Sequence, residues 1–324
     1  MAGAIAGTAI LRSPKRVDSL HTVTLTINNL CNYHCPHCYM QYEGPDMLLS
    51  QDALSFIFQS NFKHLAIVGR EPLLDRKAID VCEQLIRQAN KKSISISIIT
   101  NGANLNYIND ESLSKLTYID VSFDGGPKTY DQYRKGTFEA IIRNIKLLNS
   151  RGFDRFNALH TINSFTIENI DDMMKISDFA DFQNIMFSPY IKTESYRTNE
   201  EQLVPLEKIF CKLSQCKDFI ESQNAFILLD VYHIENQGVN RAELGELISN
   251  SGIAMKIKFI PEDPLLHGFL RVTYDGHVLT PYDSLHTLRY KTSQYKLFNN
   301  SLESIYKSML NDYISCHSKE DTGI

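Results

Sequence analysis

The feature that most constrains the fold of this chain is an alternation of two hydrophobic periods over about 190 residues. Period-two stretches rich in β-branched residues lie at 21–27, 64–68, 93–99, 118–122, 157–162 and 184–187. Segments with helical spacing fall between them, at 50–59, 76–90, 110–116, 138–150 and 167–179. Strict strand–helix alternation predicts an α/β fold, because parallel strands need long crossovers and a helix is the compact way to supply one. Six β/α units are expected.

Every strand after the first ends in a short polar or glycine-containing turn. These read Gly69-Arg70-Glu71-Pro72, Thr100-Asn101-Gly102, Ser122-Phe123-Asp124-Gly125-Gly126, Thr161-Ile162-Asn163 and Ser188-Pro189-Tyr190. In a barrel or partial barrel such turns share one rim, where active sites form. The loop after the first strand adds Cys31, Cys35 and Cys38 in a CxxxCxxC run. Three thiolates are one too few for a closed four-ligand metal site. His34 and His37 stand inside the run, so spacing alone leaves a Cys3His zinc site and a three-cysteine iron–sulfur cluster both open.

Composition narrows the class. The 324 residues, 43% of them hydrophobic, suffice for one barrel-like domain with a small extension. A net charge of −5 gives no pull toward nucleic acid, and no local basic patch stands out. Arg12, Lys15 and Arg16 follow the small apolar opening run, the reverse of a secretory signal, and no stretch is long enough to span a membrane. Residues 1–20 are read as a disordered or lightly docked arm. The clustering of three of the seven cysteines argues against a disulfide framework, and an oxygen-sensitive cluster needs a reducing compartment, so a cytoplasmic location is expected.

Together these residues resemble the radical S-adenosylmethionine (radical SAM) enzymes. The resemblance rests on Cys31, Cys35 and Cys38 after the first strand, on Gly69-Arg70-Glu71-Pro72 in place of the usual Gly-Gly-Glu-Pro, and on the segment 119–148. That segment contains Val121-Ser122-Phe123-Asp124-Gly125 and Tyr133-Arg134-Lys135-Gly136-Thr137-Phe138, similar to peptide-modifying maturases. His37 stands where most members have an aromatic residue. The resemblance covers residues 20–190 and implies a partial (β/α)6 barrel at 21–195, followed at 196–324 by linker helices and an α+β extension of the SPASM or twitch kind.

The resemblance also implies a chemistry. One [4Fe-4S] cluster on the three cysteines binds SAM at its open iron, and reductive cleavage gives a 5′-deoxyadenosyl radical that abstracts hydrogen from a substrate. A flavodoxin- or ferredoxin-type donor supplies the electron. Glu71 is expected to pair with the SAM ammonium, with Gly69 allowing close backbone approach. Ser122, Asp124, Asn101 and Asn163 are candidates for the ribose hydroxyls or carboxylate, Arg134 for a carboxylate clamp, and Tyr39, Pro189 and Tyr190 for adenine. Ordinary turn capping competes at Ser122, Asp124, Asn101, Asn163 and Arg134, most strongly at Asn101 and Asn163. Arg70 either points away from the cofactor or reaches the substrate.

The C-terminal third reads as two short strands about the Asp275-Gly276 turn, then a capped amphipathic helix over 297–306. The cysteine that ordinarily follows such a hairpin is missing from Leu279-Thr280-Pro281-Tyr282-Asp283, so one cluster only is expected. Cys82 reads as a core residue. If the reaction is an epimerisation, Cys211, Cys216 and Cys316 are candidate hydrogen donors. Tyr190, Tyr196, His267, His277 and Tyr282 are candidates to line the substrate side, with 199–258 closing over it. The expected substrate is a ribosomally made peptide. The short segment before the first strand lowers that expectation, and a small molecule such as a sugar or aminoglycoside is the alternative. A zinc-binding module and a degenerate, non-catalytic radical SAM scaffold are the non-enzyme rivals.

Overall fold

A computed structural model describes residues 10–12, 16–38, 46–134, 136–190, 200–222, 226–232, 241–252, 256–260, 264–280, 294–298 and 300–317. Its strands are β1 (Ile10–Arg12), β2 (Thr22–Thr26), β3 (His64–Val68), β4 (Ser95–Thr100), β5 (Tyr118–Ser122), β6 (Phe156–Ile162), β7 (Asn184–Pro189), β8 (Phe226–Tyr232), β9 (Lys256–Ile260), β10 (Phe269–Val272) and β11 (Val278–Leu279). The helices are α1 (Gln51–Ile57), α2 (Arg76–Lys91), α3 (Asp110–Lys115), α4 (Tyr130–Arg134), α5 (Phe138–Ser150), α6 (Ile170–Met174), α7 (Leu206–Gln215), α8 (Lys217–Ser222), α9 (Arg241–Ser251) and α10 (Leu302–His317).

All the strands join one sheet in the order β1-β9-β8-β7-β6-β5-β4-β3-β2-β10-β11. Every pairing is parallel except that of β10 with β11. The six expected β/α units are present as an open, partial barrel-like sheet.

Three expectations change. The arm supplies β1, paired with β9, where a disordered or lightly docked segment was expected. The stretch read as linker helices holds β8 and β9, which carry the parallel sheet two strands further. The hairpin of the C-terminal extension adds to the same sheet, with β10 parallel to β2. Each difference has the same cause: an open sheet leaves its edge strands unpaired, and short segments far away in sequence cover them. Locally, the 167–179 helix divides into a 3-10 turn, α6 and a second 3-10 turn. The last helix starts at Leu302, where Ser301 Oγ accepts the Ser304 N–H, instead of at 297.

The two faces of the sheet differ in chemistry. Val23, Leu25, Leu65, Ile67, Ile96, Ile98, Ile119, Val121, Ile185 and Phe187 are buried on one face, packed into the core with the helices. Helix α2 shows how that layer is specified: Asp75 caps it by accepting the Ala78 N–H at 2.9 Å, and Ile79, Cys82, Leu85 and Ile86 point inward. Full burial of each Leu or Ile side chain contributes about 1.5–3 kcal/mol. Cys82 is core, as its helical position suggested. The opposite face carries Thr24, His64, Ser95, Tyr118, Ser122, Thr161, Asn184 and Ser188, all partly exposed. Thr26, Ser97, Asp120 and Asn157 on the same face are buried, so the alternation marks an inner face lined by polar side chains, packed in part and open in part.

Candidate functional site

The cysteine loop leaves the end of β2 and is stitched to the neighbouring turn before the first cysteine is reached. Asn28 donates from Nδ2 to the Glu71 carbonyl at 2.7 Å, and the Leu30 carbonyl accepts the Glu71 N–H at 2.9 Å. A Cβ on Gly69 would strike the Asn28 carboxamide, so the glycine admits this side chain. Glu71 is fully buried and turned inward. Its carboxylate accepts the Thr100 hydroxyl at 2.5 Å, the Asn101 N–H at 2.7 Å and the Leu73 N–H at 2.9 Å. Burial pushes the Glu71 carboxyl up, against these three donors, which favour its charged form. It therefore clasps the ends of β3 and β4 together, a role nothing in its local sequence signalled.

Within the loop, the Tyr33 N–H donates to Cys31 Sγ at 3.3 Å and the Cys38 N–H to the Cys35 carbonyl at 3.2 Å, folding the run into a tight turn. Asn101 Nδ2 reaches Asn32 Oδ1 at 2.7 Å and lies 3.9 Å from Cys31 Sγ, while its Oδ1 accepts the Ala103 N–H. Asn101 thus both caps its own turn and touches the cysteine loop. The three cysteines are partly buried and in no disulfide. Burial pushes the Cys31 thiol up, and Cys35 is raised to about 12 by burial, opposed by Arg134 and reinforced by Asp124, Cys38 and Cys31.

On the opposite side Asp124 anchors the loop. Buried and in the left-handed region at φ 47°, it sits within 3.0 Å of His37 Nε2, forms an ion pair with Arg134 Nη1, and accepts the Thr161 N–H at 2.5 Å. Burial alone would raise its carboxyl; His37 and Arg134 overcome that and hold it well below the usual carboxylate range. The Arg134 carbonyl lies 3.9 Å from Cys35 Sγ, so the same helix also touches a thiol. His37 stacks on Tyr133 with centroids 4.9 Å apart, and Tyr133 stacks on Phe165 at 4.8 Å. Asn163 holds the Tyr133 hydroxyl and closes its own turn by accepting the Phe165 and Thr166 N–H groups.

The candidates therefore divide. Cys31, Cys35, Cys38, Gly69, Arg70, Glu71, Asn101, Asp124, Arg134 and Asn163 belong to one connected network at the C-terminal ends of β2 to β6. Ser122 ends β5 on the inner face, and Pro189 ends β7 with Tyr190 just beyond it. Tyr39, Tyr196 and Tyr282 lie outside the described residues, as does the side chain of Cys316. Cys211 is exposed on α7 and Cys216 caps that helix's end; α7 packs on α9 and the Ile167–Asn169 turn. His267 precedes β10 and sits by the start of β2, the rim opposite the loop, because β10 runs parallel to β2. His277 is at the correct end but contacts Asp275 in its own hairpin at 3.1 Å. Tyr133 and Thr100, which stand in quoted segments without having been given a role, and Phe165, which no motif announced, complete the network.

Two observations separate the metal readings. Among the described residues, no three His, Cys, Asp or Glu side chains converge on one point as a single ion requires. His34 is exposed, and His37 contacts Asp124 through Nε2 while its Nδ1 keeps no partner. Thiolates that each bind a different iron of a cluster need no such convergence. Three buried nitrogens around the thiols have no partner: His37 Nδ1, Arg70 Nε and Arg134 Nε. Polar atoms orphaned in this way fit a site shaped for a further polar group.

Comparison with known proteins agrees with this geometry. Residues 25–180 match the family described as the Radical SAM superfamily. The radical SAM cyclopropyl synthase TigE of Paramaledivibacter caminithermalis is 25% identical over 195 residues, 52% of this chain and 40% of that protein. The cysteine-type anaerobic sulfatase-maturating enzyme of Clostridium novyi is 27% identical over 200 residues, 53% of this chain and 52% of that protein. This chain's match thus spans about half the length of these curated relatives. Streptococcus suis SuiB, in a crystal structure bound to S-adenosylmethionine, superposes over 90% of this chain and 66% of its own with a TM-score of 0.66 at 13% identity, a likeness of fold.

Proposed function

Starting from a chain whose residues 25–180 belong to the radical SAM superfamily, we propose that it is an enzyme that cleaves SAM reductively at one [4Fe-4S] cluster and modifies a peptide. The observation that carries this reading is the loop of three cysteines outside any disulfide, ringed by orphaned buried nitrogens. Cys31, Cys35 and Cys38 would hold the cluster. When bound, the pair supplies one-electron cleavage of SAM and a 5′-deoxyadenosyl radical that takes a hydrogen atom from the substrate.

The protein's own part is placement. Asp124 fixes the loop through His37 and Arg134, and Glu71 fixes the adjoining turns, so the thiols are preorganised. Arg134, nearly fully buried with Nε unpartnered, suits the cofactor carboxylate, since a guanidinium offers forked donors. Asn101 and Ser122 supply further polar contacts at the rim. The partly exposed inner face of hydroxyl and amide side chains leaves room for a polar substrate above it. A peptide substrate draws support from the maturase named among the relatives. A flavodoxin- or ferredoxin-type donor and a reducing cytoplasm complete the proposal. Among the described residues no helix is long and apolar enough to cross a membrane.

Anaerobic reconstitution tests it. The wild-type protein should bind about four irons and release 5′-deoxyadenosine from SAM on reduction. Replacing Cys31, Cys35 or Cys38 by alanine should abolish both. A colourless, zinc-loaded protein would refute the reading, and so would a cluster that leaves SAM intact.

A further inference from the structure

Charges at the rim do not cancel. Asp124 is matched by Arg134 and His37, and the Glu71 carboxylate is satisfied by a hydroxyl and two backbone donors. Arg70 remains. No carboxylate pairs with it among the described residues, its Nη1 makes one long contact to the Asn29 carbonyl at 3.4 Å, and its buried Nε has no partner. The side chain runs along the strand-side limb of the cysteine loop, against Asn29, two residues before Cys31. A partly buried guanidinium with unused donors has lost hydration that nothing in the protein replaces.

We propose that Arg70 is a substrate-recognition residue that binds a carboxylate on the molecule being modified, and so directs the enzyme to acidic substrates. Two arguments separate this anion from the carboxylate of SAM. Arg134 already offers a nearly fully buried guanidinium with a spare donor on the Cys35 side, whereas Arg70 is more exposed and lies against Asn29. Each guanidinium can grip one carboxylate in a bidentate manner, and two such groups on opposite sides of the loop suit two different anions. A substrate carboxylate on Arg70 would sit beside the cluster loop, close to where hydrogen abstraction has to occur. The idea rests on the proposed function for the identity of the neighbouring cofactor.

The test is protection of Arg70 from phenylglyoxal, read peptide by peptide in the mass spectrometer on reconstituted wild-type protein, with the exposed Arg143 as internal reference. The probes are SAM alone, then SAM with a blocked glycyl-glutamyl-glycine tripeptide, with its glutaminyl counterpart, and with inorganic phosphate. Modification of Arg70 should continue in SAM alone and slow severalfold with the glutamyl peptide only. Arg70→Gln should erase the protein's preference for binding the glutamyl over the glutaminyl peptide. Protection by SAM alone would assign the anion to the cofactor and overturn the proposal, and protection by phosphate alone or by none of the probes would also overturn it. Iron content and SAM binding measured on the same sample show separately whether the cofactor reading holds.

Discussion

His160 gives the most decisive test of the packing described here. It lies on β6, 1% exposed, between Phe187 at 5.2 Å and Phe123 at 6.1 Å, and neither ring nitrogen has a hydrogen-bond partner. Burial lowers its pKa from the ordinary 6.5 to about 4, with Asp124 opposing and Arg134 assisting the shift. The folded protein therefore excludes a proton that the unfolded chain binds across that window. Stability is unaffected above the unfolded value and falls as pH drops from about 6.5 toward 4, by about 3 kcal/mol in all. Between pH of about 7.5 and 5.5 the loss is about 1.3 kcal/mol. Replacement by phenylalanine keeps an aromatic ring in the cage and removes the titration. Urea unfolding of wild type and His160→Phe at both pH values isolates the effect, because other histidines contribute equally to each protein. The difference in stability between the two proteins should change by that amount with pH. An unchanged difference would show that His160 is neither dry nor unpartnered.

Two further substitutions probe the rim. Gly126→Ala would drive a Cβ into the Asp172 backbone carbonyl, forcing the turn after β5 away from α6; a loss of about 1–3 kcal/mol or more is expected in urea melts. Glu71→Gln turns an amide NH2 toward one of the three donors that now point at the carboxylate, which should cost about 1–3 kcal/mol at neutral pH, read as a lower midpoint with an unchanged denaturant slope.

What was legible in the chain was local. Hydrophobic period located β2 to β7 to within a few residues, with β5 and α5 matched at both ends, because a strand or an amphipathic helix is written in its own neighbouring residues. The CxxxCxxC run and the turns after the strands announced which rim would carry the chemistry, since parallel strands joined by helices place all such turns at one end. Edge strands were harder. Three-residue β1 is too short for its period to be seen, and the β10–β11 hairpin, legible from its Asp275-Gly276 turn, carries no sign that β10 pairs with β2.

The amino-acid sequence by itself determined the α/β alternation, the three-thiol loop and the position of that loop after the first core strand. Tertiary structure alone decided what each polar residue of the rim does. Glu71 turns inward to bind residues 29 and 30 positions away, Cys35 meets a carbonyl 99 residues on, and Arg271 reaches Thr26 across 245. Asp124 serves His37 and Arg134 as an anchor, which leaves Arg70 at this rim with no carboxylate partner among the described residues. Those partnerships depend on the register in which distant strands pair and on the direction each side chain leaves its turn. Such pairings carry no periodic signal, because the chain encodes them only through the packing of the whole sheet.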